Sequence, residues 1–143
     1  MRNHIGIWID HRGAKLYRFN HAGSHTLTTI ESGAEDPTVS HGHVRHVPPH
    51  GVGSAVEAHA EHRRAQRLRS FYEDLARELA GAGEVVIAGP GSARDEFARV
   101  LRERGPDDCH VRAVEAMDTH LTAGQVAARF RELLEIGTSD AGG

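Results

Sequence analysis

Val85-Val86-Ile87-Ala88 is an uninterrupted apolar run that ends in Gly89-Pro90-Gly91-Ser92. A run without polar alternation is what a strand covered on both faces requires. Glycine admits unusual dihedrals and proline fixes its own, so Gly89-Pro90-Gly91 stops the strand abruptly. Ser92 then stands where its hydroxyl can accept from the first free amides of a helix, and Asp95 lies near that helix's positive end. A buried strand turning sharply into a helix commits the chain to an α/β architecture.

Upstream, Ile5, Ile7 and Ile9 alternate with His4, Gly6, Trp8 and Asp10, the period of a strand. Asp10-His11-Arg12-Gly13 supplies turn chemistry, and a second strand spans Ala14 to Asn20 with Leu16, Tyr17 and Phe19 as its bulky members. After His21-Ala22-Gly23-Ser24, the β-branched stretch His25 to Glu31 makes a third strand. Three short strands joined by tight turns predict an antiparallel meander.

Residues 32–53 change texture to Gly, Pro, Ser, Asp and His, and Pro48-Pro49 excludes a regular helix there. Ser54 and Glu57 have capping-box spacing, so a helix is expected from near Ser54 towards Gly81. Its buried stripe is Leu68, Phe71, Tyr72, Leu75 and Leu79. The earlier turns, with His59, His62, Arg63, Arg64 and Arg67, have no such stripe and should project into solvent or onto a partner.

The helix from Ser92 buries Phe97, Val100 and Leu101 and stops at Gly105-Pro106, and Cys109 to Glu115 reads as a fifth strand. Thr122 and Gln125 form a second capping-box pair. The helix they open carries Val126, Phe130, Leu133 and Leu134 at helical spacing and is expected to end at Gly137. The order is three strands, helix, strand, helix, strand, helix. That predicts one three-layer α/β domain over residues 1–137: a mixed five-stranded sheet of ribonuclease-H-like order, its first three strands antiparallel, with helices on both faces. Residues 138–143 read as a frayed tail.

At 143 residues the chain is long enough for one sizeable core. No apolar run is long enough to span a bilayer, and Met1-Arg2-Asn3-His4 leads straight into a strand, so neither membrane segment nor signal peptide is expected. The single cysteine, Cys109, excludes an internal disulfide framework and suits a reducing, cytoplasmic setting. It reads as a small core residue. A formal net charge of -3 makes the whole molecule no magnet for nucleic acid, which leaves local patches to decide partners.

Several stretches together resemble a family. Trp8-Ile9-Asp10-His11-Arg12 with Ala14 resembles the opening of small bacterial proteins usually labelled translational machinery proteins. Ala80-Gly81-Ala82-Gly83-Glu84 leading into Gly89-Pro90-Gly91-Ser92-Ala93 resembles their middle section. Glu115-Ala116 with Asp118, Thr122 and Gly124-Gln125 resembles their close. Those proteins in turn are similar to the central domain of eukaryotic and archaeal peptide release factors and of Pelota, where a strand ending in Gly-Pro-Gly also leads a helix. In release factors a Gly-Gly-Gln loop before the long first helix positions water at the ester between peptide and transfer RNA. The corresponding place here reads His50-Gly51-Val52-Gly53-Ser54-Ala55, without glutamine. The resemblance therefore implies a seat on ribosomal or transfer RNA without peptide release.

RNA contact falls to His50, Gly51 and Gly53 in the glycine loop and to Arg63, Arg64 and Arg67 on the helix, whose guanidinium groups suit phosphates, set against a solvated charged face in which Glu57, Glu61, Glu73 and Asp74 dilute the arginines. The Gly89-Pro90-Gly91-Ser92 turn offers free amides to an anion, but no lysine follows as in a P-loop, so a structural turn is the plainer reading. His41, His43, His46 and His50, with His59 and His62 one helical turn apart, are candidate ligands for zinc or nickel, set against a polar loop that merely happens to be rich in histidine. Asp10, with Asp118 or Glu115, is the candidate acidic set for a ribonuclease-H-like nuclease, set against ordinary turn formation at strand ends. Trp8 and Tyr17 have faces able to stack on bases, although core or turn packing is their more ordinary use. The expected activity is thus binding rather than catalysis, with the metal-binding module and the nuclease as alternatives.

Overall fold

The computed structural model describes residues 4–33 and 52–136, with side chains of the second span from residue 58 onward. Its elements are β1 (His4–Ile9), β2 (Gly13–Phe19), β3 (His25–Glu31), α1 (Val52–Glu78), β4 (Gly83–Gly89), α2 (Ala93–Arg104), β5 (Cys109–Ala116) and α3 (Ala123–Leu133). The sheet order is β3-β2-β1-β4-β5. β1, β2 and β3 pair antiparallel, whereas β4 is parallel to both β1 and β5. The mixed five-stranded α/β sheet expected from the sequence is the one observed.

Alternation along the strands divides the core into two layers. Ile5, Ile7, Ile9, Leu16, Val85 and Ile87 face α1 and α2, meeting Phe71, Leu75, Leu79, Phe97 and Leu101. Tyr17, Phe19, Val86 and Ala88 face α3 and pack on Val126, Phe130 and Leu134. Burying one such aromatic or aliphatic side chain contributes about 1.5–3 kcal/mol. Both crossovers run in the same direction across the sheet, which places α1 and α2 on one face and leaves the other to α3. Gly6 makes the second layer possible. A Cβ there would lie 2.3 Å from the Phe130 ring, so only glycine lets α3 approach the centre of the sheet.

Element ends depart from sequence expectation at three places. Ser92 is the N-cap of α2, but its hydroxyl makes no capping bond. Its backbone is already helical, so the side chain reaches forward and donates to Glu96 Oε2 at 2.9 Å. α3 ends before Gly137: Glu135 takes a φ of 56°, and Ile136 N–H donates to Arg131 O while Glu135 N–H donates to Glu132 O. That is a Schellman closure built on a glutamate, and Arg112 holds the same Glu135 by a salt bridge. α1 is recorded from Val52, and the expected side-chain pairing of Ser54 and Glu57 lies outside the described residues. The capping box at Thr122 and Gln125 forms in both directions, at 3.1 and 2.9 Å.

The register of β5 slips by one residue between Val85 and Val86, which leaves Arg112 as an extra residue in the strand. The bulge aims Arg112 at both Glu84 and Glu135. No helix among the described residues is long and apolar enough to cross a membrane.

Candidate nucleic-acid interface

α1 is longer than the sheet it packs on. Its 27 residues extend about 40 Å at the helical rise, against roughly 23 Å for a seven-residue strand. The surplus falls at the N-terminal half, beyond the carboxyl ends of β1, β4 and β5. Ala58 to Arg63 are exposed there, and the buried stripe begins only at Leu68. The projection expected from the missing apolar stripe is observed.

The arginines of this overhang divide by helical angle. Arg63 and Arg67, one turn apart, line a groove of about 370 Å³ between α1 and the end of β3, with Ile30, Glu31, Ser70 and Asp74 as neighbours. Arg64 turns instead towards Tyr72, whose phenol its charge acts on. Arg18, Arg104, Arg112 and Arg129 each hold a carboxylate, and Arg77 holds Asp74 within the groove itself. Arg63 and Arg67 make no ion pair among the described residues. Two guanidinium groups at one-turn spacing, uncommitted to any described carboxylate, can clamp adjacent phosphates.

Beside this groove lies a polar cluster centred on Glu96. Tyr72, almost fully buried, donates to Glu96 Oε1 at 2.7 Å, and Ser92 donates to Oε2 at 2.9 Å. His11 Nε2 stands 3.2 Å from Oε1. Burial pushes the Glu96 carboxyl up, but the bonds from Tyr72, Ser92 and His11 outweigh it and hold the group below its ordinary value. Burial, followed by the bond to Glu96, drives the Tyr72 phenol far up, so it remains a donor. The cluster ties the β1–β2 turn to α1 and α2. Sequence periodicity identified Tyr72 only as core and did not single out Glu96, because the partners lie far apart along the chain.

The Gly89-Pro90-Gly91 turn is filled by its own chain. Arg94 Nη1 donates to the Gly89 carbonyl at 3.0 Å and also to that of Gly91. Gly89 has a φ of 149°, and a Cβ there would fall 2.0 Å from Ile9 O. Glycine is therefore required where the end of β4 passes Ile9 of β1.

Asp10 is a turn former: its Oδ1 accepts from the amides of Arg12 at 2.8 Å and Gly13 at 3.1 Å. Asp118 does the same for His120 N–H at 2.8 Å. Glu115 is held by Arg129, at 2.7 Å from Nε, and that bond lowers its carboxyl below the ordinary value. Among the described residues no three His, Cys, Asp or Glu side chains gather in a way that could hold a metal ion. His59 and His62 are exposed on the α1 overhang. His41, His43, His46, His50 and Gly51 lie outside the described residues, while Gly53 falls within the first turn of α1. Cys109 is half-buried, and burial together with neighbouring Asp108 pushes its thiol up to about 11. Trp8 and Tyr17 both pack in the layer beneath α3, with Lys15 Nζ 5.9 Å from the Trp8 ring.

No protein-family model matches the sequence, and no curated protein matches it. Among solved structures, the crystal structure of the Thermoplasma acidophilum Pelota protein superposes over 99% of this chain with a TM-score of 0.55 and 17% identity. The fold is similar to part of Pelota. The chain spans about a third of the Pelota chain, 34% of its length, so the likeness concerns one portion of that protein. At this identity it establishes a shared three-layer α/β fold, and the chemistry must be argued from the residues.

Proposed function

We propose that this chain is a non-catalytic, cytoplasmic factor of translation that binds ribosomal or transfer RNA through the overhanging half of α1. The observation that carries this reading is the pair Arg63 and Arg67, uncommitted to any described carboxylate and aligned one turn apart on a projecting helix. The Pelota-like fold and the sequence stretches that resemble translational machinery proteins support the choice of RNA over other polyanions. Nothing in the sequence reads Gly-Gly-Gln, so peptide release is not part of the proposal.

RNA binding of this kind is dominated by phosphate contacts and is therefore steeply salt-dependent. Titration of a fluorescent ribosomal RNA fragment at several salt concentrations tests it. Replacing Arg63 or Arg67 by alanine should weaken binding for every sequence offered and flatten the dependence of log K on log salt by about one unit per lost contact. The triple replacement of Arg63, Arg64 and Arg67 should abolish measurable binding. Unchanged affinity in the triple variant refutes the assignment.

A further inference from the structure

β3 closes one edge of the sheet, and no strand among the described residues pairs with its outer side. The bonds Asn20 N–H to Ser24 O and Ser32 N–H to Arg12 O fix the hydrogen-bonded pairs at either end of the β2–β3 ladder. Antiparallel alternation then turns Thr26, Thr28 and Ile30 towards β2 and leaves the N–H and C=O groups of His25, Leu27, Thr29 and Glu31 facing outward. Edge strands are usually protected by charge, proline or a bulge. β5, the opposite edge, has a bulge and carries His110, Arg112 and Glu115. Thr26-Leu27-Thr28-Thr29-Ile30 has no charge and no proline, and Leu27 is 49% exposed.

We propose that β3 pairs antiparallel with β3 of a second copy of this chain, in a register centred on Thr28, joining two sheets into one. The strand is complementary to itself in this register. His25 of each copy stands opposite Glu31 of the other, an imidazole donor against a carboxylate, and Leu27 stands opposite Thr29. Outward residues meet only outward residues, which gives about eight backbone hydrogen bonds across the seam. A shift of one residue sets outward groups against inward ones and loses that ladder. A shift of two shortens the ladder and separates His25 from Glu31. The twofold axis passes through Thr28, so the contact closes as a dimer and does not propagate.

Sedimentation equilibrium with two variants tests the proposal. The wild-type chain is expected at the mass of two copies. Leu27→Glu with Thr29→Glu sets glutamates opposite one another at both central pairs and should weaken self-association by at least roughly 100-fold. Both side chains are exposed, and Lys15 sits directly across from Thr29 on β2, so the variant keeps its circular dichroism spectrum. Thr28→Cys places two thiols across the axis at about 4.5 Å between Cα atoms, within disulfide range. Mild oxidation by diamide should convert this variant to a covalent dimer, while the wild type, with Cys109 alone, stays uncrosslinked. A single-chain mass up to the solubility limit overturns the proposal. A dimer that survives the double glutamate variant, or fails to crosslink through Thr28→Cys, overturns the pairing.

Discussion

Replacing Glu96 by alanine removes the acceptor on which Tyr72, Ser92 and His11 converge. Ser92 is exposed and His11 partly so, and water replaces their lost partner at little cost. Tyr72 is 4% exposed, and stranding its hydroxyl costs about 1–3 kcal/mol. Loss of an acidic side chain from the first turn of α2 adds about 0.3–1 kcal/mol. The variant should therefore lose about 2–3 kcal/mol, a fall in Tm of roughly 6–9 °C for a domain of this size. Urea unfolding of wild type, Glu96→Ala, Tyr72→Phe and the double variant measures the coupling directly. A coupling energy near 1 kcal/mol is expected, because Tyr72→Phe removes the same bond. The Glu96 carboxyl is depressed in the folded state, so its contribution is complete above the unfolded carboxyl value of about 4.3 and is lost as pH falls through the lower folded value. The gap between wild type and Glu96→Ala should accordingly shrink below pH 4. A penalty under about 0.5 kcal/mol at neutral pH, or strict additivity with Tyr72→Phe, refutes the assignment of Glu96 as the hub.

Gly6→Ala drives a methyl group into the Phe130 ring and should lose about 1–3 kcal/mol in thermal unfolding, with partial recovery when Phe130→Leu is added. Thr122→Ala opens the capping box of α3 and should cost about 1 kcal/mol, seen as a lower urea midpoint at unchanged slope. Cys109, with its thiol raised to about 11, should react with Ellman's reagent at least roughly 100-fold more slowly in the native protein than in urea, since only the thiolate attacks. Prompt reaction in the native state contradicts the assigned burial.

The strands and the second capping box were legible because their signals are local. Alternation at Ile5, Ile7 and Ile9, the apolar run Val85 to Ala88, and the pairing of Thr122 with Gln125 each need only neighbours in sequence. What escaped depends on contacts between distant parts of the chain. Glu135 ends α3 in a conformation ordinarily left to glycine, and its partner Arg112 reaches it only because β5 bulges. Ser92 stands at the cap position, but its backbone dihedrals, which sequence does not display, send the hydroxyl forward to Glu96. The projecting half of α1 was legible from its missing apolar stripe. Helical periodicity also held the division of its arginines: Arg64 falls in line with Leu68, Phe71 and Leu75, while Arg63 and Arg67 fall on the neighbouring stripe with Ser70 and Asp74. The groove itself needed the position of β3.

Co-sedimentation of the purified chain with ribosomes, at low and high salt, tests the assignment of this α1 surface most directly. The chain should pellet with ribosomes at low salt, release at high salt, and fail to pellet when Arg63, Arg64 and Arg67 are replaced by alanine. A chain that stays in the supernatant at low salt, or a triple variant that pellets like the wild type, contradicts the account.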